Sequence, residues 1–174
     1  MFLDILTLER QKIRFDQVFP PESIDFPDEG LRQVGSLRAT GVAELVDPFG
    51  VREVHVLGDV TGEVEAVCAR CLDPIRLPVS CALDLFYRPM SQIAREEDVA
   101  INEAEAEVGF YEGGVELADV VREQVTIELP MRSLCREDCR GICPTCGKNR
   151  NLEECICSEG FADPRWEALR TWKA

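Results

Sequence analysis

The chain has 174 residues, 45% of them hydrophobic, and a formal net charge of −14, which suits one domain of ordinary size with a small appended module and a core that needs no disulfides. An acidic body excludes broad, sequence-independent binding to phosphate backbones, and no run approaches the ~20 apolar residues that span a bilayer. The opening MFLDILTLERQ lacks the basic and apolar regions of a secretion signal, so a cytoplasmic protein is expected, with no membrane partner.

The first part reads as antiparallel β. Phe2 to Leu8 predicts a short strand, and Ile13 and Phe15 extend the alternation. Leu37, Ala39, Gly41, Ala43 and Leu45 alternate with Arg38, Thr40 and Glu44, and the turn Asp47-Pro48-Phe49-Gly50 leads into a strand over Val51 to Leu57. His55, the one histidine, falls opposite Val54 and Val56 and reads as a solvent-facing strand residue with no catalytic role.

Val60, Gly62, Val64, Ala66 and Cys68 share a face, and after CARCLDP the period of two resumes through Ile75, Leu77, Val79, Cys81, Leu83, Leu85 and Tyr87. This predicts a long hairpin with Cys68 and Cys71 at its tip and Cys81 as a small buried hydrophobe. Met90 to Glu107 is acidic and aperiodic, a loop or frayed helix, and Val108 to Tyr111 adds a short strand. Leu117, Val121, Val125 and Leu129 recur every four residues, an amphipathic helix stopped by Pro130 that should cover one side of the sheet. In DPRWEALRTW, Asp163 stands where an N-cap belongs and Pro164 at the first helical position, with Trp166, Leu169 and Trp172 at spacings of three.

The fold class is therefore α+β: an antiparallel sheet or partial barrel with a packed helix and a C-terminal cysteine-rich zinc module. The expected division is a β-rich body over 1–130, the zinc module over 131–160 and a terminal helix over 161–174.

Nine cysteines in a reducing compartment point to metal ligation before disulfides. Setting Cys81 aside, they form four pairs: Cys68-x2-Cys71, Cys135-x3-Cys139, Cys143-x2-Cys146 and Cys155-x-Cys157. Two thiolates on one tight turn can both face an ion about 2.3 Å away, so four pairs make two four-thiolate sites, with zinc expected and an iron–sulfur cluster as the alternative. Two pairings stay open. The preferred one joins Cys68 and Cys71 to Cys135 and Cys139, leaving a local site of Cys143, Cys146, Cys155 and Cys157 around the short loop KNRNLEE. The other joins the two Cys-x2-Cys turns, as in a zinc ribbon.

Charge reverses near these pairs. From Gln92 to Pro130 eleven acidic residues face Arg95 and Arg122, whereas from Met131 to Arg150 Arg132, Arg136, Arg140, Lys148 and Arg150 face only Glu137 and Asp138. These five cations either offset thiolate charge or contact RNA or a protein partner. A closed four-thiolate shell leaves no position for water, and no arrangement of nucleophile, base or phosphate loop stands out, so neither an enzyme nor a small-molecule substrate is expected.

CARCL at 68–72, the helix ending in Leu129-Pro130, CREDCRGICPTCGKNRN at 135–151 and DPRWEAL at 163–169 together resemble the bacterial YceD family of large ribosomal RNA subunit accumulation proteins. The resemblance implies a role in accumulation or processing of that RNA and in ribosome assembly, with ribosomal RNA or a large-subunit protein or assembly particle as partner. Some members keep the CxRC pair and a pair after the helix but lack the later CPxCG and CxC. That implies Cys68, Cys71, Cys135 and Cys139 as the common site and the other four as an additional one. A thiol redox switch that ejects zinc and an acidic protein-binding adaptor using 92–130 and the tryptophan helix are the competing readings.

Overall fold

In the computed structural model, residues 1–28, 30–47, 50, 52–92, 108–157 and 165 are described. The described residues form strands β1 (Phe2–Asp4), β2 (Ile13–Phe19), β3 (Leu37–Val46), β4 (Glu53–Val67), β5 (Pro74–Pro89), β6 (Gly109–Tyr111) and β7 (Gly114–Glu116), with α-helices α1 (Ile5–Leu8) after β1 and α2 (Leu117–Glu128) after β7 and a 3-10 turn at Met90–Gln92. The main sheet runs β2-β3-β4-β5-β6, and β1 pairs separately with β7. It is an open, mixed sheet: β2 to β5 are antiparallel, but β6 runs parallel to β5.

The predicted strand over Phe2 to Leu8 stops at Asp4. The Asp4 carboxylate accepts the Thr7 N–H at 2.9 Å and caps the short α1, so a local side-chain bond wins over strand continuation. The long hairpin forms as expected, with register Val60↔Cys81 and Val67↔Pro74. Its alternate residues Val60, Val64, Val79, Cys81, Leu83 and Tyr87 are buried in one cluster with Leu37, Ala39 and Ala43 of β3.

Helix α2 closes that cluster with Leu117, Val120, Val121 and Val125. Leu129 leaves helical geometry at φ −70°, ψ 139°, as the residue before a proline must. No described helix is long and apolar enough to cross a membrane. His55 does lie on the face away from the core, but it is not open to solvent. Its ring stacks on Phe86 with centroids 4.1 Å apart, and Nε2 is 2.7 Å from Asp84 Oδ1, leaving the side chain 15% exposed.

The β2–β3 connection supports the far end of the hairpin. Arg32 and Glu65 exchange backbone hydrogen bonds of 2.8 Å in both directions. The buried Gln33 beside them accepts the Ile24 N–H at 2.9 Å and donates to the Phe19 carbonyl at 2.9 Å. The hairpin tip is thus held from one side by this strap and from the other by the segment after α2. The turn residues Pro48, Phe49 and Val51, the whole acidic 93–107 stretch, and the tryptophan segment apart from Arg165 lie outside the described residues.

Candidate metal centres

A Cys-x2-Cys turn brings two sulfurs to one point because backbone hydrogen bonds fold it tightly. In the first, the Leu72 N–H donates to the Cys68 carbonyl and the Cys68 N–H donates to the Asp73 carbonyl, both at 2.9 Å. The second repeats the pattern: Gly147 N–H to the Cys143 carbonyl at 2.9 Å, Cys143 N–H to the Lys148 carbonyl at 2.8 Å. The two turns are the same structure built twice.

They do not share an ion site. Cys68 and Cys71 meet Cys135 and Cys139, while Cys143 and Cys146 meet Cys155 and Cys157, and within each group all four sulfurs lie within 4.8 Å of one another. The geometry therefore takes the hairpin-to-tail grouping and not the zinc-ribbon one. Across the hairpin tetrad, Cys68 Sγ is 3.9 Å from Cys139 Sγ and Cys71 Sγ is 3.7 Å from Cys135 Sγ. Tetrahedral coordination with metal–sulfur bonds of about 2.3 Å requires sulfur–sulfur edges of about 3.8 Å, so the donor set fits one ion.

The hairpin tetrad is the more enclosed. Cys68, Cys71 and Cys139 are buried against Ile75 and Leu134, and Cys135 is exposed. The chain after Pro130 is laid onto the tip by the Ala69 N–H to Ser133 carbonyl bond at 2.9 Å. Arg70, between the two cysteines of the turn, donates to the carbonyls of Cys139 at 2.9 Å and Glu137 at 3.2 Å. Its own carbonyl accepts the Ile142 N–H at 3.0 Å. In the second tetrad only Cys143 is buried.

Backbone donors prepare both turns for an anion. The Cys71 N–H, with help from those of Arg70 and Cys135, holds the Cys68 thiol down at about 6 against the opposing effect of burial. The N–H groups of Cys146 and Thr145 do the same for Cys143, also about 6. Cys157 is pushed up to about 11, first by its hydrogen bond with the Cys146 sulfur and then by burial. Cys81 is far from this chemistry: it lies in the main core, and burial raises its thiol.

The five cations of the predicted patch divide. Arg136 is committed locally, donating to Asn151 Oδ1 at 2.9 Å with Asp138 3.4 Å away, and Lys148 pairs with Glu153 at 2.9 Å. The Arg150 N–H donates to the Gly141 carbonyl at 2.8 Å. Arg132 and Arg140 are exposed, and their guanidinium groups make no ion pair among the described residues. Sequence reasoning missed Arg70, Asp73, Asn149 and Asn151, all of which bond around the tetrads. Polar residues in loops carry no periodic signal that could single them out.

A family model described as large ribosomal RNA subunit accumulation protein YceD matches residues 56–173. Proteins of Mycobacterium bovis and Mycobacterium tuberculosis, described only as uncharacterized, are each 38% identical over 118 residues, covering 67% of this chain and 54% of theirs. One from Mycobacterium leprae is 33% identical over 121 residues, covering 67% and 52%. The match spans about half the length of these curated relatives. No solved structure matches the chain.

Proposed function

This chain belongs to the YceD family, and we propose that it is a non-enzymatic factor in large-subunit ribosomal RNA accumulation whose eight paired cysteines hold two structural zinc ions. The observation that carries this reading is the pair of sulfur tetrads within the segment matched by a family named for that role.

Zinc suits the site on chemical grounds. Four thiolates at tetrahedral spacing satisfy a d¹⁰ ion fully, whereas a multi-iron cluster distributes its cysteines over different irons and spreads them farther apart. With every coordination position taken by sulfur, the metal has no place to activate water, so its contribution is to folding. In this reading the 1–130 body presents the hairpin, and the 131–160 segment is the zinc module clamped to its tip.

Each filled site carries two net negative charges. Arg70, Arg136 and Lys148, bonded around the tetrads, temper that charge, while Arg132 and Arg140 are available to phosphate or to an acidic partner surface. The partner is ribosomal RNA or a large-subunit protein on an assembly particle, met in the cytoplasm.

Elemental analysis of the purified protein should give two zinc ions per chain in a colourless sample; iron with visible absorption would replace zinc in this reading. Depletion of the protein in cells should lower mature large-subunit RNA relative to small-subunit RNA. Unchanged levels would remove the ribosomal role. Arg132→Glu with Arg140→Glu should weaken co-sedimentation with pre-ribosomal particles and leave metal content intact.

A further inference from the structure

Asn151 sits in the loop that the second tetrad encloses, between Cys146 and Cys155, yet its side chain bonds to the first. Its amide nitrogen donates to Cys139 Sγ at 3.3 Å and to Asn149 Oδ1 at 2.9 Å. Its amide oxygen accepts the Arg140 N–H at 2.8 Å and an Arg136 guanidinium N–H at 2.9 Å. A backbone N–H and a guanidinium can only donate, so the amide oxygen must face Arg140 and Arg136 and the NH₂ must face the sulfur. One residue of the second site thus holds both the 135–139 ligand loop and one of its sulfurs.

Two further contacts run the same way. Asn149 donates to Asp73 Oδ2 at 2.9 Å, directly behind the hairpin turn, and the Asn151 N–H returns to Asn149 Oδ1 at 3.0 Å. Gly141, with φ +70°, approaches Arg70 so closely that a Cβ there would lie 2.9 Å from its carbonyl oxygen. The loop therefore rests on both halves of the hairpin tetrad.

Backbone bonds also hold the loop, among them Arg150 N–H to the Gly141 carbonyl and Cys143 N–H to the Lys148 carbonyl, both at 2.8 Å, but it has no apolar core. Across 143–157 the described residues bury one side chain, Cys143, while Leu152 and Ile156 are 79% and 104% exposed. A segment without an apolar core is ordered by the ion that its cysteines bind.

We propose that the two metal centres are positively coupled through Asn151: filling the second tetrad orders the 147–152 loop, and Asn151 then completes the outer shell of the hairpin tetrad. The proposal rests on the two-site metal reading above. Partners outside the ligand set change metal affinity by about 10–100-fold when removed. Because coupling is reciprocal, an ion in the hairpin tetrad tightens the second by the same factor.

The test is a cycle of full-length variants titrated with zinc against a chromophoric chelator. Cadmium-113 resonances of the substituted protein identify the sites, the hairpin signal being the one retained in Cys155→Ser/Cys157→Ser. Asn151→Ala should weaken the hairpin site by about 10–100-fold in the otherwise unaltered chain and less than about twofold in the Cys155→Ser/Cys157→Ser background, where the loop is already released. Asn151→Asp keeps the oxygen facing Arg136 and Arg140 and replaces only the donor to sulfur, so it should lose at least as much while the fold is retained. Hairpin affinity within about twofold of the parent in either Asn151 variant, or equal losses in both backgrounds, overturns the coupling while leaving two independent sites. A parent protein that binds no metal overturns the two-site reading itself.

Discussion

Leu72 and Gly147 occupy the same place behind the two Cys-x2-Cys turns, and both have left-handed backbone, with φ 63° and 73°. Glycine adopts this conformation without steric cost; a leucine does so at about 1–2 kcal/mol. Leu72 is 60% exposed, so little packing offsets that strain. Leu72→Gly should raise the unfolding free energy of the metal-loaded protein by about 0.5–1 kcal/mol, the strain relieved less the greater freedom of glycine in the unfolded chain. Gly147→Ala should lower it by about 1 kcal/mol, because a Cβ there meets nothing and only strain is added. Gly141→Ala adds the approach to Arg70 and should cost more than Gly147→Ala. Denaturant midpoints at saturating zinc give all three.

The hairpin and the four cysteine pairs were legible in the sequence because their signals are local. A period of two runs from Val60 to Cys68 and again from Ile75 to Tyr87, and the two cysteines of each pair stand two to four positions apart. Which pairs meet was legible only as a preference: the short loop between Cys146 and Cys155 favoured the local grouping that the structure shows, but 64 residues separate Cys71 from Cys135 and spacing alone could not join them. The parallel pairing of β6 with β5 escaped for a related reason: three residues with no hairpin connection carry no sign of direction. Asp4 reversed the strand expected over Phe2 to Leu8 because one carboxylate capping bond outweighs a short apolar alternation. His55 was placed on the correct face, but Phe86, directly across the register, covers it.

Gln33 ties the strap that pairs with β4 near the tip, and its bonds to Ile24 and Phe19 are buried. Gln33→Leu keeps the bulk but leaves the Phe19 carbonyl and the Ser23 and Ile24 N–H groups without the side-chain partner they now have. The expected loss is about 2–3 kcal/mol, seen as a lower denaturant midpoint with unchanged metal content. A loss below about 0.5 kcal/mol would mean that water replaces the amide.

Metal removal should act regionally. The main core contains none of the eight paired cysteines, whereas Cys68, Cys71 and Cys139 form a small cluster of their own with Ile75 and Leu134. Treatment with a strong chelator should therefore abolish amide protection over 131–157 and at the 68–73 tip while the centres of β3, β4 and β5 stay protected. Hydrogen exchange read by mass spectrometry distinguishes this from global unfolding, which would show the sheet to depend on the metal.

Zinc binding should release a pH-dependent number of protons. Zinc takes thiolates, so every thiol still protonated must give up its proton. In the metal-free protein Cys68 and Cys143 sit at about 6 and are already ionised at pH 7.5. Cys157, at about 11, holds its proton. Cys71 does too: the Asp73 N–H is the largest single influence and lowers it, but burial and the side-chain hydrogen bonds with Asp73, Cys68 and Cys135 together raise it. Fewer than eight protons per chain should then leave at pH 7.5 when two ions bind. As pH falls through about 6, Cys68 and Cys143 gain protons that zinc must displace, so release rises by about two and affinity drops most steeply there. Calorimetry in buffers of different ionisation enthalpy counts these protons, and release that stays constant from pH 7.5 to 5 would show that neither turn holds a preformed thiolate.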